Sequence, residues 1–128
     1  MTAAAGDVRT ALVVDDDTVS RLVLAHMLRR SGWEVDEADD VAPARSLLAE
    51  FDYTAVFSDY SMPGGTGMDL LASLHAPRPL FVLITGVVQH TGPADDPGHR
   101  VDAQLTKPIS TRALQQCLAT IMSGGPGR

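Results

Sequence analysis

Three carboxylates, one hydroxyl and one lysine follow short apolar segments of this 128-residue sequence. They are Asp15, Asp16, Asp59, Thr85 and Lys107. Clustered carboxylates repel one another and need a cation, and an all-oxygen ligand set with open positions suits Mg²⁺. A lysine and a hydroxyl beside such a metal can neutralise and hydrogen-bond a transferring phosphoryl group. If the fold brings these residues together, the pattern favours phosphoryl transfer.

The apolar segments that precede these residues have the composition of buried β-strands. Continuous apolar strands are typical of a sheet covered on both faces, which is usually parallel. Strands that alternate with helices predict an α/β fold with a doubly wound, five-stranded parallel sheet. The carboxyl ends of such strands share one edge, where ligands bind, so the five polar residues should meet there. The predicted strands are Ala11–Val14, Ala55–Phe57 and Leu80–Ile84, with weaker candidates at Trp33–Asp36 and Ala103–Thr106.

The first segment between strands has apolar residues at helical spacing. Thr18 is its predicted N-cap and Gly32 its predicted end. The stripe that we expect to face the core consists of Val19, Leu22, Val23, His26 and Met27.

Three further helices and one irregular connection are predicted downstream. Asp40 caps the second helix with Pro43 in its first turn, and the third spans Thr66–Leu74. Ser110 caps the last helix, whose apolar stripe is Leu114, Cys117, Leu118 and Ile121. The segment Val88–Arg100 contains two prolines and two glycines, which predicts an irregular or shortened fourth helix.

Composition excludes several classes of function. Ten basic against sixteen acidic residues give a formal net charge of −6, which argues against binding to nucleic acid or to an anionic membrane. The single cysteine, Cys117, excludes an internal disulfide. Residues 1–8 resemble a flexible leader rather than a signal peptide, residues 9–122 form the predicted domain, and residues 123–128 form a flexible tail. We therefore expect a cytoplasmic domain.

Five segments together resemble the receiver domain of two-component response regulators. They are Leu12–Asp17, Asp59–Pro63, Gly67–Leu71, Leu83–Gly86 and Leu105–Pro108, which occur in the family's order and at suitable spacing. The resemblance covers nearly the whole chain. It implies a flavodoxin-like sheet with strand order 2-1-3-4-5, and a phosphoacceptor in a two-component system or phosphorelay.

The resemblance also implies roles for individual residues. Asp59 would accept a phosphoryl group from a histidine kinase or a histidine phosphotransfer protein. Asp16 would bind Mg²⁺ directly and Asp15 directly or through water, and the backbone carbonyl of Ser61 would be a further ligand. The domain would catalyse its own phosphorylation and dephosphorylation without being a conventional turnover enzyme.

The remaining implied roles concern the phosphoryl group and its switch. Thr85 would hydrogen-bond the phosphoryl group, and Lys107 would form an ion pair with it and precede a cis peptide bond to Pro108. Ser61 and Val87 would flank the attacking water, and the apolar Val87 predicts slow dephosphorylation. Gln104 occupies a position that is usually aromatic, which predicts a weak version of the family's switch.

Other interpretations remain open from sequence alone. A haloacid-dehalogenase-like phosphatase would use Asp15 as nucleophile in an Asp-x-Asp loop, although no cap domain fits in this length. The chain could also be a docking module that works without phosphorylation, or a receiver excised from a hybrid histidine kinase. For its oligomeric state, a monomer or a weak dimer is compatible with the sequence.

Overall fold

The structure is a computed structural model that describes residues 9–74, 78–86 and 101–122. Strands and helices alternate over residues 10–85, with one short hairpin between the third and the fourth strand of the main sheet. The elements in chain order are β1 (Thr10–Val14), α1 (Thr18–Arg30), β2 (Glu34–Ala38), α2 (Val41–Glu50), β3 (Ala55–Asp59), β4 (Ser61–Met62), β5 (Gly65–Thr66), α3 (Gly67–Ala72), β6 (Leu80–Thr85), β7 (Ala103–Thr106) and α4 (Thr111–Met122).

The main sheet confirms the predicted fold class. Its five strands are parallel and lie in the order β2-β1-β3-β6-β7, which is the flavodoxin-like order 2-1-3-4-5 when its own strands are counted. The register places Asp59 opposite Ile84, and Thr85 opposite Thr106. The ends of β3, β6 and β7 therefore meet at one edge. The antiparallel hairpin of β4 and β5, which follows Asp59 directly, was not predicted.

Two apolar clusters cover the two faces of this sheet. One joins the sheet to α1 and α4, and there Trp33 packs edge-on against Phe57 with ring centroids 6.2 Å apart. The other joins the sheet to α2 and α3 through residues such as Val41 and Leu70. Burial on both faces explains why β1, β3 and β6 read as continuous apolar segments.

The predicted start of α1 was wrong by one residue. Asp17 is the N-cap, since its carboxylate accepts a hydrogen bond of 3.0 Å from the Ser20 amide, and Thr18 is the first helical residue. A carboxylate caps a helix as well as a hydroxyl does. Because Asp17 is the last of three consecutive aspartates, the sequence did not distinguish it as the cap. The predicted end is confirmed: Gly32 follows the cap residue Ser31 with a φ of +93°, a conformation that favours glycine.

The predicted core face of α1 was also wrong. Val19 is 68% exposed, Leu22 and Val23 are 50% exposed, and His26 is exposed as well. Of the predicted stripe, Met27 packs against the core. The buried residues of the helix are Leu24, Ala25 and Leu28. Both faces of α1 carry apolar residues at helical spacing, so periodicity could not identify the one that contacts the sheet.

The predicted starts of α2 and α4 agree with the structure. Asp40 caps α2, and Pro43 lies in its first turn. Thr66 and Asp69 form a reciprocal capping box at the start of α3, which is shorter than predicted. The Ser110 hydroxyl accepts a hydrogen bond of 3.0 Å from the Ala113 amide. The whole predicted stripe of α4 is buried: Leu114, Cys117, Leu118 and Ile121.

Several predictions fall outside the described residues. These are the flexible leader 1–8, the irregular connection 88–100, the tuning residue Val87 and the tail 123–128. Within the described ranges, no helix has the length and apolar character to cross a membrane.

Candidate functional site

Asp15 and Asp16 follow the last residue of β1. The Asp15 amide donates to the carbonyl oxygen of Ala38 at 3.0 Å, which extends the β1–β2 pairing by one residue. The carboxylate of Asp15 is buried and accepts a hydrogen bond of 2.9 Å from the Asp17 amide. Asp16 is exposed. The first strand therefore presents one fixed, buried carboxylate and one that solvent can reach.

Asp59 ends β3, and the hairpin after it forms a tight loop. The side chain of Asp59 is 13% exposed. The Gly67 amide donates to the carbonyl oxygen of Tyr60 at 2.8 Å and closes this loop, in which Ser61 is exposed. A Cβ atom at Gly67 would lie 2.6 Å from the Asp59 carbonyl oxygen, so only glycine allows this approach.

The three carboxylates form one cluster, as the sequence predicted. Oxygen atoms of Asp15, Asp16 and Asp59 all lie within 4.8 Å of one another. Burial raises the pKa of Asp59 to about 6, and the negative charge of Asp15 adds to this effect. The concentrated negative charge and the all-oxygen donor set fit a hard cation such as Mg²⁺.

Lys107 follows β7 and reaches into this cluster. Its Nζ lies 3.0 Å from Oδ2 of Asp15 and 3.6 Å from Oδ1 of Asp59. Partial burial would lower the pKa of Lys107, but the hydrogen bond to Asp15 and the nearby carboxylates outweigh it, so the pKa is raised. The lysine therefore stays charged at neutral pH. The peptide bond between Lys107 and Pro108 is cis, as the resemblance implied.

Thr85 is the last residue of β6 and is buried. Its carbonyl oxygen accepts a hydrogen bond of 2.8 Å from the Lys107 amide, which ties the ends of β6 and β7 together. Asp59 pairs with Ile84 in the sheet register, so Thr85 lies one residue beyond that pair. All five polar residues predicted from the sequence thus lie at the carboxyl edge of the sheet.

The proposed switch position, Gln104, lies away from this cluster. It is in β7 opposite Leu83, and it lines a shallow groove of about 370 Å³ between the edge strand and α4. Its role in a switch stays a prediction, as does the role of Val87.

A groove of about 410 Å³ extends from the cluster along the exposed face of α1. Asp15 and Lys107 line one end, and Val19, Val23 and Ile109 line the apolar part. A larger cavity of about 840 Å³ lies at the opposite edge of the sheet and contains none of the clustered residues. Of these two cavities in the described part of the chain, the groove on α1 is the one that reaches the carboxylates.

Sequence reasoning missed two residues that hold the loops of the site. Asp40 was predicted as a helix cap, but its Oδ1 also accepts a hydrogen bond of 3.0 Å from the Gly64 amide in the hairpin after Asp59. Arg21 donates from Nη1 to the carbonyl oxygen of Asp15 at 2.9 Å. The sequence did contain a signal for Arg21. A cation near the start of a helix opposes the helix dipole, so its presence there indicates a role outside the helix.

Comparison with known proteins agrees with this geometry. The sequence model of the response regulator receiver domain matches residues 11–119. The chemotaxis protein CheY-3 of Vibrio cholerae is 30% identical over 115 residues, which are 86% of this chain and 88% of that protein. The sensory/regulatory protein RpfC of Xanthomonas campestris pv. campestris is 30% identical over 116 residues, which are 16% of its length. A response regulator receiver protein from Pseudomonas putida is 26% identical in the superposed part, with a TM-score of 0.75 and coverage of 91% of this chain and 98% of that one.

Proposed function

The chain belongs to the response regulator receiver domain family, and from this premise we propose that Asp59 accepts a phosphoryl group from a phosphohistidine of a partner protein. Receiver domains are the phosphoacceptor signalling domains of two-component systems, and residues 9–122 would form this one, in the cytoplasm. One observation carries the assignment to Asp59. Its carboxylate lies in the cluster with Asp15 and Asp16, and Lys107 is 3.6 Å away.

In the proposed reaction, an oxygen of Asp59 attacks the phosphorus atom of the phosphohistidine. The phosphorus–nitrogen bond breaks, the imidazole leaves with the electron pair, and an acyl phosphate remains on Asp59. Lys107 would pair with the charged oxygens of the phosphoryl group, and the Thr85 hydroxyl would donate a hydrogen bond to one of them.

A metal ion would complete this site. Asp15, Asp16 and Asp59, with the backbone carbonyl of Ser61, would hold Mg²⁺, which when bound neutralises the carboxylates and attracts phosphoryl oxygens. Lys107 is already paired with Asp15 at 3.0 Å, so the cluster has one permanent counter-charge. The remaining negative charge supports a divalent cation.

The phosphatase alternative has no support in the geometry. An Asp-x-Asp nucleophile loop would need the carboxylate of Asp17 beside that of Asp15. Instead Asp17 accepts a hydrogen bond from the Ser20 amide at the start of α1 and is not part of the carboxylate cluster.

The proposed function predicts a magnesium-dependent modification of the purified chain. With Mg²⁺ and a small acyl phosphate, the protein should gain one phosphoryl group, which intact-mass spectrometry detects. A chelator should prevent the gain, because the carboxylates then repel the incoming phosphate. Equal modification with and without the chelator would contradict the metal assignment, and a response to Zn²⁺ but not to Mg²⁺ would contradict the choice of metal.

The face of α1 beside the site would receive the phosphohistidine protein. Val19, Leu22 and Val23 form an exposed apolar patch, and two of them line the groove that ends at Asp15 and Lys107. Exposed apolar side chains gain free energy when a partner covers them, and such patches mark interaction surfaces. A donor must bring its imidazole to Asp59, and this groove leads to the cluster.

A charge on this patch should separate docking from chemistry. We expect Val23→Glu to slow phosphorylation by a phosphorylated histidine phosphotransfer protein at least tenfold, because burying an unpaired carboxylate in the interface costs more than about 1.4 kcal/mol. The rate with a small acyl phosphate should stay within about twofold, since that donor needs no docking. Phe51→Glu is the matched control, because Phe51 is 52% exposed at the opposite edge of the sheet. An equal loss of phosphorylation rate in Val23→Glu and Phe51→Glu would contradict docking at α1. An equal loss in Val23→Glu with the protein donor and with the small acyl phosphate would contradict it as well.

A further inference from the structure

A largely buried arginine connects the loop that carries Asp15 and Asp16 to the neighbouring strand. The side chain of Arg21 is 16% exposed and makes two polar contacts. Nη1 donates to the carbonyl oxygen of Asp15 at 2.9 Å, and Nε donates to Oε1 of Glu37 in β2 at 3.2 Å. A charge with so little access to water needs such partners, so its position is well determined.

Glu37 is itself held by a second cation. Its Oε2 accepts from Nη2 of Arg29 at 3.4 Å, and the same group of Arg29 donates to the Val35 carbonyl oxygen at 3.1 Å. Arg29 does not contact Asp15 in the described structure, and its side chain is 49% exposed. The two arginines therefore share one carboxylate, but only Arg21 extends the network to the site.

The contact with Asp15 acts on the orientation of the next residue. The carbonyl of Asp15 and the amide of Asp16 belong to one planar peptide unit, so a hydrogen bond to that carbonyl orients the unit that leads into Asp16. Asp15 itself is also held through its amide and its carboxylate. Asp16 is exposed, and repulsion from Asp15 and Asp59 would drive a loosely held Asp16 away from the cluster.

We propose that Arg21, held by Glu37, is a positioning residue that keeps Asp16 directed at the metal site. The inference rests on the proposed function, because it assumes that Asp15, Asp16 and Asp59 bind Mg²⁺. Outer residues that orient metal ligands contribute to metal affinity without touching the ion. Arg21 contributes in this way in spite of its charge, which taken alone repels a divalent cation.

Loss of the positive charge and loss of positioning would change the Mg²⁺ affinity in opposite directions, so one substitution can distinguish them. Arg21→Met keeps most of the aliphatic stem and removes both donors. Removal of a positive charge near a cation site would by itself strengthen Mg²⁺ binding. Loss of positioning should instead weaken it, and we expect the dissociation constant to rise about tenfold, measured by calorimetric titration of the purified chain.

Two further variants control for charge and for folding. Arg29→Met removes the same charge and the same kind of contact to Glu37, and should leave Mg²⁺ affinity within about twofold. If Arg21→Met does not fold, Glu37→Gln tests the same network, since it weakens the group that holds Arg21. We expect a rise in the dissociation constant larger than that for Asp39→Asn, which removes an equal charge from an exposed site.

Each outcome decides between the hypotheses. Unchanged or stronger Mg²⁺ binding in Arg21→Met, or an equal loss in Arg29→Met, would overturn the positioning role. If Arg21→Met does not fold, a loss in Glu37→Gln no larger than in Asp39→Asn would overturn it too. Failure of the unmodified chain to bind Mg²⁺ or to be phosphorylated would instead overturn the proposed function itself.

Discussion

Asp59→Asn should abolish phosphorylation of the chain by small acyl phosphates in the presence of Mg²⁺. The amide oxygen of asparagine is a poor nucleophile and cannot form a stable acyl phosphate, so the loss should be complete rather than partial. Lys107 and Asp15 keep their mutual contact at 3.0 Å in this variant, so the site should not collapse. Intact-mass spectrometry measures the loss, and peptide mapping of the unmodified chain should place the phosphoryl group on Asp59.

Asp39→Asn is the matched control for this experiment. Asp39 is an exposed carboxylate at the same edge of the sheet that does not belong to the cluster, so its loss should leave the extent of phosphorylation unchanged. Modification of the Asp59→Asn protein at Asp15 with undiminished yield would show that the phosphoacceptor assignment is wrong.

Asp59→Asn should also stabilise the folded protein when no metal is present. Burial and the charge of Asp15 raise the pKa of Asp59 from 3.8 to about 6, so the folded protein binds this proton more tightly than the unfolded chain does. By linkage, the free energy of unfolding falls as the pH rises from about 4 to about 6, and it stays lower above that range. Asparagine does not ionise, so above pH 7 Asp59→Asn should be more stable by about 1 to 3 kcal/mol.

Chemical denaturation in a chelating buffer measures this difference directly. The two proteins should have similar free energies of unfolding near pH 4 and diverge as the pH approaches 7. Saturating Mg²⁺ should stabilise the unmodified protein more than the variant and so reduce the gap, because the ion binds the folded carboxylates. A variant that is less stable than the unmodified chain at pH 7.5 without metal would contradict the raised pKa of Asp59.

The grouping of the site residues could be predicted from the sequence because it depends on a rule of the fold. Strands buried on both faces read as apolar segments, and in a parallel sheet their carboxyl ends share an edge. Asp15, Asp59 and Thr85 each end or follow such a segment, and Lys107 follows the weaker candidate Ala103–Thr106, so their proximity needed no knowledge of packing. The caps at Asp40 and Ser110 were equally accessible, since a cap is a contact within a few residues.

The orientation of α1 was decided by tertiary structure. Its sequence carries two apolar faces, and spacing along a helix is the same for both. The face with Leu24 and Leu28 fills the space beside Trp33 and Phe57, whereas Val19 and Val23 are left at the surface beside the site. Close packing selects between such faces by shape, and shape depends on segments that are distant in the sequence.

The contacts that hold the site also required the assembled fold. Sequence alone identified the residue types for phosphoryl transfer and the edge where they meet, because apolar strand segments and local caps follow from short-range patterns, whereas the strand order was implied by the family resemblance. It did not identify the hydrogen bond of Arg21 to Asp15, the contact of Asp40 with Gly64, or the preference of Lys107 for Asp15 over Asp59. Each joins side chains or backbone from separate elements, so each exists only once the sheet and its helices have set their distance.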